Sequence, residues 1–201
     1  MPMSTLLIAT TNPGKLREVG AILGGLRVSL VTLNEFPELP EPVEGADSFE
    51  GNARIKALHY AELTGLWTLA DDSGLEVDAL GGAPGVHSAR FAGPQRDDAA
   101  NNAKLVAMLE GVPLAKRTAR FRCVVALANA DGVVTTAEGT IEGLILDEPR
   151  GENGFGYDPH FFVPEHSQTT AEMSPEKKNR LSHRGSAVAA IRPRVAERLG
   201  G

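Results

Sequence analysis

Along this chain, short continuous apolar runs alternate with stretches whose apolar residues recur every three or four positions, the pattern of an α/β protein. The first run, Leu6-Leu7-Ile8, ends abruptly in Thr10-Thr11-Asn12-Pro13-Gly14-Lys15, and Leu16, Val19 and Leu23 follow at helical spacing. This predicts a strand, a tight loop and a helix. Residues 25–33 predict a second short strand, and residues 36–48, with Pro37, Pro40 and Pro42 among several carboxylates, predict a loop. A helix is expected over 49–64, carrying Ala53, Ala57, Leu58 and Ala61 and stopped by Gly65. Residues 67–70 predict a buried strand that runs into Asp71-Asp72-Ser73-Gly74, which puts both carboxylates at a strand end.

The second half continues in the same way. Residues 81–96 are rich in Gly and Pro and read as a long ordered loop, after which Asp97-Asp98 opens a helix through Leu105, Val106 and Leu109 to Gly111. Residues 119–128 form a strong strand, Asn129-Ala130-Asp131-Gly132 a turn, and residues 133–140 its hairpin partner. A hairpin inside an alternating pattern implies a mixed sheet. Residues 147–160 form a second glycine-rich loop, and Ser174-Pro175-Glu176 starts a helix. A last amphipathic helix uses Ala187, Val188, Ile191 and Val195, with a kink or break expected near Pro193. No linker or repeat divides the chain, so residues 1–201 are read as one domain with room for two lobes.

Composition narrows the possible functions. The net charge is −6 and no basic stripe stands out, which argues against general nucleic-acid binding. No apolar run reaches membrane-spanning length, and the N-terminus lacks a basic-then-apolar signal pattern, so no membrane partner is expected and the cytoplasm is the default location. The single Cys123 lies in an apolar run and is expected to be a buried structural thiol.

Several clusters could carry chemistry. A loop such as 10–15 directs N–H groups, a helix dipole and a lysine toward one spot, which suits a phosphate. It is not a Walker A loop, because Ala9 and Leu16 stand where glycine and Ser/Thr belong, and an ordinary turn fits the same residues. Asp71 and Asp72 are adjacent, so on extended backbone they face opposite ways and take different roles: one toward a ligand, the other bracing the loop. A bare Asx-type turn is the alternative. Glu44 or Glu50 could supply a second carboxylate to Mg²⁺, and Lys56 could reach a phosphate or pair with an acid. Phe155 and Tyr157, in Gly154-Phe155-Gly156-Tyr157-Asp158, could stack a purine or pin the loop to the core. Lys178 and Ser182 share a helix face, with His183 and Arg184 read at that helix's C-terminal end before Gly185.

Taken in order, these motifs resemble the inosine-triphosphate pyrophosphatase family, which acts on noncanonical purine nucleoside triphosphates. The likeness spans Thr10-Thr11-Asn12-Pro13-Gly14-Lys15, residues 49–57, Ala70-Asp71-Asp72-Ser73-Gly74-Leu75, Gly81-Gly82-Ala83-Pro84-Gly85-Val86 and Ser88-Ala89-Arg90-Phe91. It continues through Gly154-Phe155-Gly156-Tyr157-Asp158-Pro159, Ala171-Glu172-Met173 and residues 178–185. The resemblance implies an elongated mixed sheet flanked by helices, two lobes with an active-site cleft between them, and a homodimer. It also implies Mg²⁺-dependent hydrolysis of ITP, dITP and XTP to the monophosphate and pyrophosphate, which clears them from the nucleotide pool.

By the same resemblance, Asp72 is the catalytic acceptor and, with Glu44, a metal ligand. Thr10, Thr11, Asn12, Pro13, Gly14 and Lys15 hold the triphosphate with Lys56, and Ser73 contacts the substrate. Phe155, Gly156, Tyr157, Asp158, Lys178, His183 and Arg184 contact the base and nucleotide. One position departs: many members carry two glutamates after the phenylalanine, whereas here Glu50 is followed by Gly51. A non-catalytic purine-nucleotide-binding module is the main rival, and it would not need Asp72 and Glu44 together. A phosphotransferase ranks last, for want of a Walker A loop and an acceptor site.

Overall fold

The computed structural model describes residues 4–200. These build a seven-stranded sheet in the order β2-β1-β3-β4-β5-β6-β7. Its strands are β1 (Ser4–Ile8), β2 (Val28–Thr32), β3 (Trp67–Val77), β4 (Thr118–Asn129), β5 (Gly132–Ile145), β6 (Phe161–Val163) and β7 (Gln168–Thr169). The helices are α1 (Pro13–Leu23), α2 (Phe49–Thr64), α3 (Asp98–Met108), α4 (Pro175–Leu181) and α5 (His183–Leu199). β1 pairs in parallel with β2 and β3, while β6 pairs antiparallel with β5 and β7, so the sheet is mixed as expected.

The chain divides into two compact units, one of residues 1–72, 123–139 and 184–201, the other of 73–122 and 140–183. In the first, Leu6, Ile8 and Leu69 pack with Cys123, Val125 and Leu127 of β4, closed by Val19 and Leu23 of α1 and by Ala187, Val188, Ile191 and Val195 of α5. In the second, Leu75 and Val77 pack with Leu105 and Leu109, Phe121, Ile145, Tyr157, Phe161 and Met173.

Local chemistry explains several helix boundaries. Asn12 caps α1, accepting from the backbone N–H of Gly14 (2.8 Å) and Lys15 (3.1 Å). Ser48 caps α2 through Gly51 N–H, and Gly65 ends it in the left-handed region, as its position predicts. Ser174 caps α4 by accepting from Lys177 N–H.

Four expectations are corrected. Asp71-Asp72-Ser73-Gly74 is not a turn at a strand end but the middle of β3. His183 and Arg184 do not end a helix; α4 stops at Leu181, Ser182 is extended, and the pair opens α5. α5 then continues through Pro193 without a break. Its buried stripe from Ala187 to Leu199 binds both halves to one core, which outweighs the roughly 3 kcal/mol cost of an internal proline. α3 ends at Met108, short of Gly111. The short β6 and β7 were not foreseen, since three and two residues carry no periodicity. Among the described residues, no helix is long and apolar enough to cross a membrane.

Candidate active site

The sequence-derived site residues fall into one cluster in each unit. The first forms where the 10–15 loop, α2 and β3 meet. Asn12 Oδ1 occupies the Gly14 and Lys15 amides, so this loop offers a ligand its hydroxyls and the Lys15 ammonium rather than those two N–H groups. Thr10 Oγ1 accepts from Asn12 N–H at 3.2 Å. Pro13 occupies the first helical position.

The two aspartates of β3 do face different partners, as alternation on a strand requires. Asp71 meets Lys15 Nζ at 2.9 Å and the Arg184 guanidinium at 3.2 and 3.3 Å. Arg184 is 1% exposed, and its other arm reaches Glu18 Oε2 of α1 at 2.5 Å. Burial alone would raise the Asp71 pKa, but the charges of Lys15, Arg184 and Lys56 hold it well below the usual carboxylate range. Cys123 lies against Asp71, and burial together with that carboxylate pushes its thiol up to about 12, so it stays protonated. Asp71 is thus the bracing carboxylate.

Asp72 takes the other role. Its Oδ1 lies 3.2 Å from Lys56 Nζ, and its Oδ2 accepts from Asn52 Nδ2 at 3.2 Å. Here burial outweighs the nearby lysines and, with Glu44, raises the pKa. Glu44 Oε1 sits 3.5 Å from the same Lys56 ammonium. Desolvation works to lower the Lys56 pKa, yet the carboxylates of Asp72, Asp71 and Glu44 raise it, so the lysine is held charged. Two hard oxygen donors therefore converge on one cationic centre, which is the donor set that Mg²⁺ takes from a protein when phosphates supply the rest. Among the described residues, no three or more His, Cys, Asp or Glu side chains converge on a common metal position.

Glu50 lies outside this cluster, paired with Arg54 at 3.2 Å on the exposed face of α2. Gly51 has a steric reason for replacing the usual acid. A Cβ there would come within 2.5 Å of Ala46 Cβ and 3.0 Å of Ser48 Oγ. The loop that carries Glu44 is pressed onto this turn and tied down by Ala46 N–H donating to Asn52 Oδ1 at 3.1 Å. Asn52, 1% exposed, thereby links the Glu44 loop to Asp72. Its place in the 49–57 motif was the only sequence signal for this role. Glu18 carried none, since its partner is distant in the chain.

The second cluster is built around residues 154–158. Asp158 Oδ2 accepts from Phe155 N–H at 2.8 Å and from Lys178 Nζ at 2.6 Å, and Oδ1 accepts from Thr170 Oγ1 at 2.8 Å. Lys178 Nζ also stands 4.8 Å from the Phe155 ring centroid, a cation–π contact. Tyr157 does not offer an open stacking face: it is buried, and its hydroxyl donates to Ser88 O at 2.8 Å. It pins the loop, leaving Phe155 as the more accessible ring. His183 stacks on Phe121 at 4.8 Å. Ser73, half-buried, follows Asp72 on β3.

Gly154 adopts φ +81°, and a Cβ there would overlap the Asp158 carboxylate. Gly154→Ala should therefore lower stability by about 1–3 kcal/mol in urea unfolding. An unchanged midpoint would mean that the loop yields freely.

The fold places the chain among mixed α/β proteins, with paired carboxylates and lysines clustered in one unit and an aromatic loop with a buried lysine in the other. The sequence profile of the Ham1 family matches residues 6–194, and the chain belongs to that family. It is 57% identical over 183 residues to a dITP/XTP pyrophosphatase of Desulforamulus reducens, covering 91% of each chain. It is 54% identical over 190 residues to a dITP/XTP pyrophosphatase of Geobacter sulfurreducens, covering 94% of this chain and 96% of that one. The solved structure of a HAM1 protein from Coxiella burnetii superposes with a TM-score of 0.87 at 42% identity, over 97% of this chain and all of that one. The resemblance drawn from the motifs, and the α/β class with its mixed sheet, are borne out.

Proposed function

We propose that this protein is a Mg²⁺-dependent pyrophosphohydrolase that cleaves dITP, XTP and ITP to the monophosphate and pyrophosphate. The observation that carries the reading is the convergence of Asp72 and Glu44 on one cationic centre, at 3.2 and 3.5 Å. The names of the relatives, dITP/XTP pyrophosphatases at 57% and 54% identity, support the substrate class.

In this reading, Lys15, Lys56 and the Thr10 and Thr11 hydroxyls bind the triphosphate and offset the charge that builds as the α-phosphorus is attacked. Asp72, with its raised pKa, accepts the proton of the attacking water. Water oxygen bonds to the α-phosphorus, the bond to the bridging oxygen of the β-phosphate breaks, and pyrophosphate leaves. Asp72 and Glu44 would hold Mg²⁺, which supplies Lewis-acid neutralisation of the phosphate oxygens. The Phe155 ring stacks the purine, and Lys178 donates to a 6-keto oxygen. Adenine would turn its amino group on that donor and leave it unpaired, a heavy penalty in a desolvated site. By the family resemblance, Ser73, His183 and Arg184 also contact the nucleotide. The enzyme works in the cytoplasm as a homodimer, the location and assembly that the sequence and its family resemblance imply.

Pyrophosphate and orthophosphate release from dITP, XTP, ATP and GTP, with Mg²⁺ and then with EDTA, tests this. Metal-dependent pyrophosphate from dITP and XTP is expected, with ATP at least about 100-fold slower. Orthophosphate as the product would place cleavage at another phosphorus. Tight dITP binding without turnover would leave a nucleotide-binding module instead.

A further inference from the structure

α3 has a task beyond packing. Asp97 already caps it, accepting from Ala99 N–H at 2.8 Å and Ala100 N–H at 3.1 Å. Asn101 is committed to the preceding loop, accepting from Ala92 N–H at 2.7 Å and donating to Ala89 O at 3.1 Å. Asp98 and Asn102 remain, one turn apart and on the same helix face. Both reach residue 156. Asp98 Oδ2 accepts from Gly156 N–H at 2.8 Å, and Asn102 Nδ2 donates to Gly156 O at 2.9 Å.

These bonds grip the peptide units on either side of Gly156. The Phe155–Gly156 peptide is held by Asp98, and the Gly154–Phe155 peptide is held by Asp158 through Phe155 N–H. With both flanking peptide planes pinned, the backbone dihedrals of Phe155 are set, and with them the direction of its ring against Lys178. The amide of Asn102 has no freedom of orientation. Its Nδ2 serves two carbonyls, Asp98 O and Gly156 O, both at 2.9 Å. Its Oδ1 is left buried without a hydrogen-bond partner. A buried orphan oxygen is costly, so its retention calls for a reason, and the grip on Gly156 supplies one.

We propose that Asp98 and Asn102 are positioning residues that fix the Phe155 ring for purine recognition and so set the affinity for the base. This rests on the reading of residues 154–158 as the base-binding loop. Neither residue touches the reacting phosphorus, so the effect belongs in KM and in base discrimination rather than in kcat.

Four variants of the full chain test the proposal: Asp98→Ala, Asn102→Asp, Asp98→Asn and, as the reference for the loop itself, Phe155→Ala. KM and kcat for dITP and dGTP would be measured, together with hydrogen exchange of the Gly156 amide by NMR. Asp98→Ala and Asn102→Asp should raise KM for dITP about tenfold, the loss of a hydrogen bond to one charged or one committed partner. Their kcat should stay within about threefold, and discrimination against dGTP should narrow by a similar factor. Asn102→Asp presents oxygens to two carbonyls and cannot restore the grip. Asp98→Asn keeps an acceptor and should return close to wild-type KM, a rescue that a merely structural role would not predict. Exchange of the Gly156 amide should quicken in Asp98→Ala and not in Asp98→Asn. If Phe155→Ala raises KM while Asp98→Ala and Asn102→Asp do not, the positioning role is wrong and the base-loop reading stands. If Phe155→Ala leaves KM unchanged, the base-loop reading fails and the proposal falls with it. Unchanged exchange at Gly156 in Asp98→Ala would also overturn it.

Discussion

Asp72→Asn should cut pyrophosphate release by about three orders of magnitude while the fold stays intact and dITP still binds. The size follows from removing the proposed proton acceptor, which is worth roughly 10²–10⁴ in rate, together with one of the two oxygen donors proposed for Mg²⁺. Asparagine keeps the shape and one carbonyl oxygen, which can accept from one of the two donors at 3.2 Å, Asn52 or Lys56, but its amide cannot replace the other bond. The effect on stability should run the other way from the effect on rate. Burial raises the Asp72 pKa in the metal-free protein, so the folded state holds this proton more tightly than the unfolded chain does. An ionised Asp72 then opposes folding at neutral pH, and neutralising it removes that opposition. Lys56 keeps Glu44 as a partner in the variant. The melting temperature of Asp72→Asn should thus equal or exceed that of the parent protein. A site carboxylate held against its own solvation is the usual mark of a group kept for chemistry. Turnover within tenfold of the parent would remove Asp72 from the catalytic role, and a large fall in melting temperature would show it to be a structural brace.

How much of this was legible beforehand depends on how local each determinant is. The stop of α2 was readable because Gly65 acts on groups a few residues away, whereas the caps Asn12 and Ser48 went unassigned. The strand character of Asp71-Asp72-Ser73-Gly74 was not, because four polar or small residues look like a turn when their partners are unseen. The extended backbone can bury them only because Lys15 and Arg184 meet one carboxylate and Lys56 meets the other. His183 and Arg184 were misplaced for a related reason. Gly185 reads as a helix stop, whereas the break comes earlier, at Ser182, whose extended backbone separates α4 from α5. The sequence order did carry the division of labour between the two aspartates, since alternation on an extended strand needs no tertiary knowledge. Tyr157 and Phe155 could not be told apart without the structure: two aromatics in one glycine loop are equivalent until Ser88 claims the tyrosine hydroxyl. Glu18 and Asn52 went unassigned because their work depends on partners far along the chain.

The neighbouring substitution, Asp71→Asn, should behave in the opposite way and destabilise the protein by about 3–5 kcal/mol, the range for breaking a buried ion pair by removing one partner. Four charges are confined here: Lys15 and Arg184 against Asp71 and Glu18. Neutralising Asp71 leaves a guanidinium that is 1% exposed with Glu18 as its main compensation, and Lys15 loses the carboxylate at 2.9 Å. The pH dependence supplies an independent check. The folded pKa of Asp71 lies well below its unfolded value because Lys15 and Arg184 prevail over burial. Its contribution is therefore complete above the unfolded pKa of about 3.9 and is lost progressively as pH falls below that value. Urea unfolding of the two proteins should diverge most near neutral pH and converge as pH drops below about 4. Arg120→Met, which removes a cation from the exposed Asp78 and Glu142 pairs, should cost no more than about 1 kcal/mol, as surface ion pairs do. A loss below about 1 kcal/mol for Asp71→Asn, or a loss that does not vary with pH, would mean that Lys15 and Arg184 find other anions and that Asp71 does not organise the cluster. The predicted contrast has a functional logic. One strand carries two adjacent aspartates, and the one paired with both Lys15 and Arg184 holds the structure together. That pairing fixes Lys15 and Arg184 in place, while burial raises the pKa of the other carboxylate, as its proposed role of proton acceptor requires.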